Sequence, residues 1–263
     1  MTLFLSLTSR SLSSLLDPSA DPPRTLLDAP SFVSGEFGLR GLSLDADMLS
    51  GWSGDDMDRL RTRADQAACP VLVLVDHQIL DIGSSSEEVR AAAIERLQRL
   101  AWAGSRLGCN SISIRAGAAD EDACSQAAEA IQEALVKIDS KELNLLLAPC
   151  VGRCAESEGL TELIKKIGGF RIGALPTYGD PESPEDPLHQ IRKLAPYAGA
   201  VHLRCEGFKR SGAHRGQDLA EGLQAAVAVG YQSNIVIDYV GSDDAAKNIT
   251  KAAELLNAAI EAE

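Results

Sequence analysis

Eight short apolar runs separated by helical patterns constrain this chain more than any other feature. They are Leu3–Leu7, Leu39–Leu44, Val71–Val75, Ser111–Arg115, Leu143–Leu147, Phe170–Leu175, Ala200–Leu203 and Ile235–Asp238, with starts about 27 to 40 residues apart. That interval holds one strand, one helix and two loops. Near-continuous apolar runs are expected of strands covered on both faces, as in a parallel sheet wrapped by helices. Eight such units predict a closed (β/α)8 barrel rather than an open sheet. The length of 263 residues suits a single barrel domain over 1–263.

Local signals place the helices. Ser85 stands three residues before Glu88, a capping-box spacing that predicts a helix start. Val89, Ala93, Leu97, Leu100, Ala101 and Leu107 then recur at helical intervals, and Gly108 supplies a stop able to take a positive φ. A last helix from Asp243 to about Ala262 sets Ile249, Ala253, Leu256 and Ile260 on one stripe facing the barrel. Only 4% of residues are aromatic while 45% are hydrophobic, so small and branched aliphatic side chains must fill the core. Two polar stretches, Ser11 to Glu36 and Tyr178 to Asp186, are too long for minimal connections. Both follow strands and are expected at the C-terminal rim, where such barrels build binding loops.

A formal charge of -13, from 38 acidic and 25 basic residues, repels phosphate backbones and anionic lipid headgroups and argues against nucleic acid and membrane partners. No run approaches the ~18 apolar residues of a membrane span. The opening MTLFLSLTSRSLSSLL lacks a basic n-region and is interrupted by polar residues, which argues against a signal peptide. Cys69, Cys109, Cys124, Cys150, Cys154 and Cys205 are scattered without the pattern of a stapled scaffold. Reduced thiols in a cytoplasmic protein are expected. The expected partner is a small molecule, with a homo-oligomer left open.

In a (β/α)8 barrel the last residues of each strand line the mouth. Here they include Ser6 and Thr8, Asp45 and Asp47, Asp76 and His77, Arg115, the Ala148-Pro149-Cys150 and Pro176-Thr177-Tyr178 segments, His202, Arg204 and Glu206, and Asp238 with Tyr239. Each has a plain structural reading beside a functional one. His202 is either a hydrogen-bonded core histidine or a ligand. Asp238, if buried, needs a partner, and Arg204 on the neighbouring strand is the candidate. Arg115 either holds a substrate carboxylate bidentately or covers a helix terminus. The basic segment EGFKRSGAHRGQD, Glu206 to Asp218, reads as a solvated loop, with a position over the mouth as the alternative. Cys150 and Cys154 lack a second close Cys or His pair and do not read as a zinc site. Asp243 and Asp244, in the first turn of the last helix, would repel a phosphate that such a helix end otherwise attracts.

The phrases GLRGLSLD, RADQAACPVLVLVDH, ERLQRLAWAGSRLGCNSISIRAG, IGGFRIGALPTYGD, LAPYAGAVHLRCEGF and VGYQSNIVIDYVGSDD resemble, in order and spacing, the xylose-isomerase-like family of sugar-phosphate isomerases and epimerases. The resemblance runs from about Gly38 to Leu256. It implies a TIM barrel and, in active members, one divalent metal held by Glu, Asp, His and Glu from the ends of strands five to eight. There the metal polarises a carbonyl or hydroxyl while carboxylates move the proton on the neighbouring carbon. In this register the four positions are Ala148, Thr177, His202 and Asp238.

The resemblance thus implies His202 and Asp238 as catalytic and metal-ligand candidates. Arg115, Arg204, His77 and Glu206 are the substrate-binding candidates. A metal in the usual geometry is not expected, because a hard divalent ion wants several oxygen donors; Glu206, Asp76 or His77 are the candidates for a relocated site. The leading expectation is a sugar or sugar-derived small-molecule isomerase or epimerase, or a related lyase, binding at the C-terminal mouth. The alternative is a non-catalytic descendant acting as a binding or regulatory protein. An endonuclease-like phosphodiesterase of the same fold needs a cluster of His and acidic ligands and a cationic approach, which four histidines and a charge of -13 argue against.

Overall fold

The computed structural model describes residues 3–19, 21, 23–118 and 120–262. Its strands are β1 (Phe4–Thr8), β2 (Leu42–Asp45), β3 (Val71–Leu80), β4 (Ser111–Ala116), β5 (Asn144–Leu147), β6 (Ile172–Ala174), β7 (Thr177–Tyr178), β8 (Ala200–Cys205) and β9 (Asn234–Tyr239). Its α-helices are α1 (Ala29–Phe37), α2 (Gly54–Gln66), α3 (Glu87–Leu107), α4 (Glu121–Ile138), α5 (Ser157–Ile167), α6 (Pro187–Leu194), α7 (Leu219–Val227) and α8 (Ala245–Glu261). All strand pairs are parallel, in the order β6-β5-β4-β3-β2-β1-β9-β8-β7.

The two outermost strands, β6 and β7, are consecutive pieces of one stave. Leu175 N–H donates to Leu147 on the β5 side at 2.9 Å, whereas Gly199 and His202 on the β8 side donate to Ala174 and Pro176 at 3.1 and 3.0 Å. Pro176 has no N–H to give, and at that residue the stave turns from one neighbour to the other. The ring therefore closes with eight staves, as the eight apolar runs require, although the sixth is split.

Other boundaries differ for physical reasons. The sixth run was expected from Phe170, but Phe170 follows a glycine pair with positive φ and is 90% exposed; the strand begins at Ile172. The third strand continues past Val75 to Leu80, because its pairing with β4 skips from Val75↔Ser113 to Ile79↔Arg115. The irregularity between them leaves Asp76, His77 and Gln78 outside the pairing with β4. Helix α1 falls in Ser11 to Glu36, expected as loop, and runs one residue past it; Pro30 sits in its first turn, and Gly38 at φ +65 closes it. The capping box expected at Ser85 and Glu88 does not form. Ser86 takes the N-cap position of α3 without a side-chain capping bond, which puts Val89, with no carboxylate, where the box needs Glu. Gly108 at φ +75 ends that helix as expected.

One apolar cluster, from Leu5 to Leu256, fills the layer between sheet and helices. A second, smaller one packs inside the barrel: Val73, Val75, Leu146, Leu175, Ala200 and Val236. Where α7 crosses β7, a Cβ on Gly222 would lie 2.4 Å from the buried Tyr178 ring, so only glycine allows that approach. All six cysteines are buried and unpaired. Among the described residues no helix is long and apolar enough to cross a membrane.

Candidate functional site

Alternation along the strands sends every second side chain inward. Apolar residues occupy the lower interior, and above them the inward side chains turn polar. At the seam between the first and last strands, Ser6 Oγ donates to Asn234 Oδ1 at 2.6 Å, Thr8 Oγ1 to Asp238 Oδ1 at 2.9 Å, and Tyr239 N–H to Ser11 Oγ at 2.8 Å. A cavity of about 420 Å³ opens at the C-terminal mouth. Arg10, His77, Arg115, His202 and Arg204 border it together with Ala148 and Thr177, and Asp180 and Glu182 overhang it from the loop after β7. A groove of about 600 Å³ between α3 and α4 lies outside the barrel, lined mainly by helix side chains such as Glu87, Arg90 and Lys137. No strand end reaches it.

Two buried carboxylates organise the mouth. Asp238 has no exposed side-chain surface and receives the guanidinium of Arg10 through both Nε, at 2.7 Å, and Nη2. Burial pulls the Arg10 pKa down, but the bond and charge of Asp238 outweigh it and hold it above its ordinary value. Asp45 accepts from Ser9 Oγ at 2.7 Å and from the Arg10 backbone N–H at 3.0 Å through Oδ2, while Oδ1 meets His77 Nε2 at 2.5 Å. Burial pushes Asp45 up, yet these hydrogen bonds win and keep it below the usual carboxylate range. An ionised Asp45 requires Nε2 of His77 to carry a proton, which in the neutral imidazole leaves the lone pair on Nδ1.

His202, at the centre of β8, has Nε2 3.2 Å from Ser43 Oγ. Burial drives its pKa down to about 4 despite the nearby Asp238, so it is neutral at physiological pH. Arg204 follows two residues further along β8, on the same face. Its Nε is buried without a hydrogen bond, 3.5 Å from the Glu206 carboxylate. Arg115 Nη2 lies 3.2 Å from Glu182, whose side chain is 71% exposed.

The structure brings His77, Arg115, His202 and Arg204 to one cavity. Asp238 does not border it, and the partner expected for it, Arg204, is wrong: Arg10 holds that place. Arg10 itself was missed. Its position directly after the first strand was the available signal. Glu206 stands at the rim, where its backbone N–H donates to His214 at 3.1 Å. Asp76 turns into the helix layer and is gripped by Arg96 through Nε at 2.5 Å and Nη2 at 3.0 Å. The basic segment after β8 does not hang free: Arg215 pairs with Asp243, Lys251 Nζ donates to Gly212 at 3.1 Å, and the Phe208 N–H donates to Asn248 at 3.1 Å. It is docked on α8. Asp244 caps α8 by accepting from the Lys247 N–H at 3.1 Å.

These residues do not fit the family's divalent metal. Ala148 and Thr177 border the cavity at two ligand positions without a carboxylate, and the third, Asp238, has both oxygens engaged by a guanidinium. An ion beside Asp238 would meet the charge of Arg10. Among the described residues no group of three or more His, Cys, Asp or Glu is placed to hold a metal.

Residues 34–259 match the family model described as xylose isomerase-like TIM barrel. No curated protein matches the chain. Among solved structures, an L-ribulose 3-epimerase superposes with a TM-score of 0.78 at 17% identity, over 100% of this chain and 95% of that one. A D-psicose 3-epimerase from Clostridium cellulolyticum H10, solved with D-tagatose, gives 0.71 at 14% identity over 98% and 97%. A probable 3-DHS dehydratase from Bacillus anthracis gives 0.71 at 15% identity over 98% and 99%. At such identities the likeness is one of fold.

Proposed function

The chain belongs to the xylose isomerase-like TIM barrel family, and from that premise we propose that it is an isomerase or epimerase-like protein acting on a sugar or sugar-derived small molecule at the C-terminal mouth. The observation that carries this reading is the His77–Asp45 pair. A carboxylate-oriented imidazole with a free Nδ1 borders a cavity of about 420 Å³, a size suited to one small ligand. His77 takes a proton from the carbon next to a substrate carbonyl, and the electron pair moves to the carbonyl oxygen. Arg10, which borders the cavity, offers N–H donors to the oxygen of the resulting enolate. Return of the proton to the former carbonyl carbon, with the hydroxyl proton of the deprotonated carbon passing to the former carbonyl oxygen, completes an isomerisation; protonation of the same carbon from its opposite face by solvent, with His77 giving its proton back to solvent, completes an epimerisation. His202, neutral, bonds a substrate hydroxyl, and Asp238 fixes Arg10.

A panel of ketoses and aldoses incubated in D2O tests this. Deuterium should enter at one carbon of at least one sugar, and His77→Asn and Asp45→Asn should each slow entry by about 10²-fold or more. A second reading, a non-catalytic binding protein of the same family, is favoured by Ala148, Thr177 and the occupied Asp238. Ligand binding without deuterium entry into any bound sugar would establish it in place of the first.

A further inference from the structure

Resting on that reading of the mouth, we infer that the ligand is a sugar-derived hydroxy acid whose single carboxylate docks between Arg204 and Arg115. Two observations point there. The Arg204 Nε is buried at the cavity wall with no hydrogen bond, its nearest carboxylate being Glu206 at 3.5 Å. The side chain as a whole is 27% exposed at the cavity, and its contact with Glu206 is longer than a good hydrogen bond, so the guanidinium keeps donors for an incoming oxygen. Arg115, only 20% exposed, is met by an acid from the overhanging loop, Glu182, itself 71% exposed. So exposed a pair contributes little stability, and a ligand carboxylate displaces it readily.

Charge selects the anion further. The protein is acidic overall, at -13, yet three guanidiniums border this one cavity. Arg10 is neutralised by Asp238, so Arg115 and Arg204 remain for a ligand. Asp180 and Glu182 overhang the same space and repel a dianion more than a monoanion. The end of α8, where a phosphate would otherwise rest, is occupied by its own Asp244 cap and by the Asp243–Arg215 pair. A monocarboxylate therefore suits the site better than a sugar phosphate. A planar carboxylate also accepts the paired N–H groups of a guanidinium.

Titration calorimetry on the whole chain compares D-gluconate and D-galactonate with glucitol and galactitol, which differ from them only by a CH2OH in place of the carboxylate, and with glucose 6-phosphate. At least one aldonate should bind tenfold or more tightly than its alditol and than the phosphate, with the preference shrinking as NaCl rises. Arg204→Gln should remove the preference, Arg204→Lys should recover only part of it, and Glu182→Gln should strengthen aldonate binding. Circular dichroism of each variant separates lost binding from lost folding, and the wild-type preference and the Glu182→Gln gain stand without the arginine variants. Alditols or the phosphate binding as well as the aldonates, or a preference that survives Arg204→Gln, would overturn this inference while leaving the mouth as a ligand site. Binding of none of the probes would overturn this inference and leave the isomerase reading to the deuterium test.

Discussion

Asp238 sits beneath the mouth with its charge matched by one guanidinium, and that pairing sets several expectations. Arg10→Met strands the carboxylate in the interior and should cost about 3–5 kcal/mol in urea unfolding, while Arg10→Met with Asp238→Leu should recover most of it. A single-variant cost below about 1 kcal/mol would mean that Asp238 finds other partners. The same guanidinium governs any attempt to restore a metal. Ala148→Glu, Thr177→Asp and Asp238→Glu together should leave Mn2+ affinity weak in calorimetry, and adding Arg10→Ser should create it. Equal affinity with and without Arg10→Ser would show that the arginine is no obstacle, and tight binding by the wild type would reveal a donor set elsewhere. His202 adds a pH dependence. Its folded pKa is about 4, below the usual ~6.5, so the unfolded chain binds the extra proton between those values. Stability from this group is present above about pH 6.5 and is lost as pH falls towards 4. His202→Gln should flatten that acid limb of the stability curve, and an unchanged limb would place the titration on another group. Strand-end position alone made His77, Arg115, His202 and Arg204 legible as mouth residues. The Arg10 partnership was not, because 228 residues separate it from Asp238 and nothing local to either encodes the other.

The strands were readable at the level of elements because each is covered on both faces, and such strands concentrate aliphatic residues. The split of the sixth stave was hidden, since a proline between two short pieces resembles the end of one strand. Helix α1 was hidden by Ser, Gly and Pro in a nine-residue stretch. Its burial comes from tertiary packing of Ala29, Val33 and Phe37, which outweighs weak propensity. Asp76 and His77 fall on opposite faces as the period of two dictates, with Asp76 outward at Arg96 and His77, like Val73 and Val75, inward, but the break in pairing that carries β3 on to Leu80 was hidden. No pattern of residue types announces a bulge. At the α7–β7 contact, Gly222→Ala tests packing against propensity: alanine favours a helix by about 1 kcal/mol, while overpacking costs about 1–3. We expect a net loss and a lower Tm by differential scanning fluorimetry. A raised Tm would show that α7 can move away from Tyr178.

On the scale of the whole molecule, the apolar layer between sheet and helices is continuous from the first strand to the last helix, and no boundary divides it. Urea unfolding followed by far-UV circular dichroism should therefore coincide with that followed by the fluorescence of Trp52 and Trp102, as a single transition. Two separated midpoints would show independent units. The seam between β1 and β9 adds a consequence in time. Ser6, Thr8, Arg10 and Ser11 meet Asn234, Asp238 and Tyr239 there, so the first strand waits for nearly the whole chain before it gains its second neighbour. At roughly 5–20 residues per second on the ribosome, that wait is on the order of 10–45 s. Throughout it, β1 offers an open edge to any passing strand, and a newborn copy of the same protein carries the strand that fits it best.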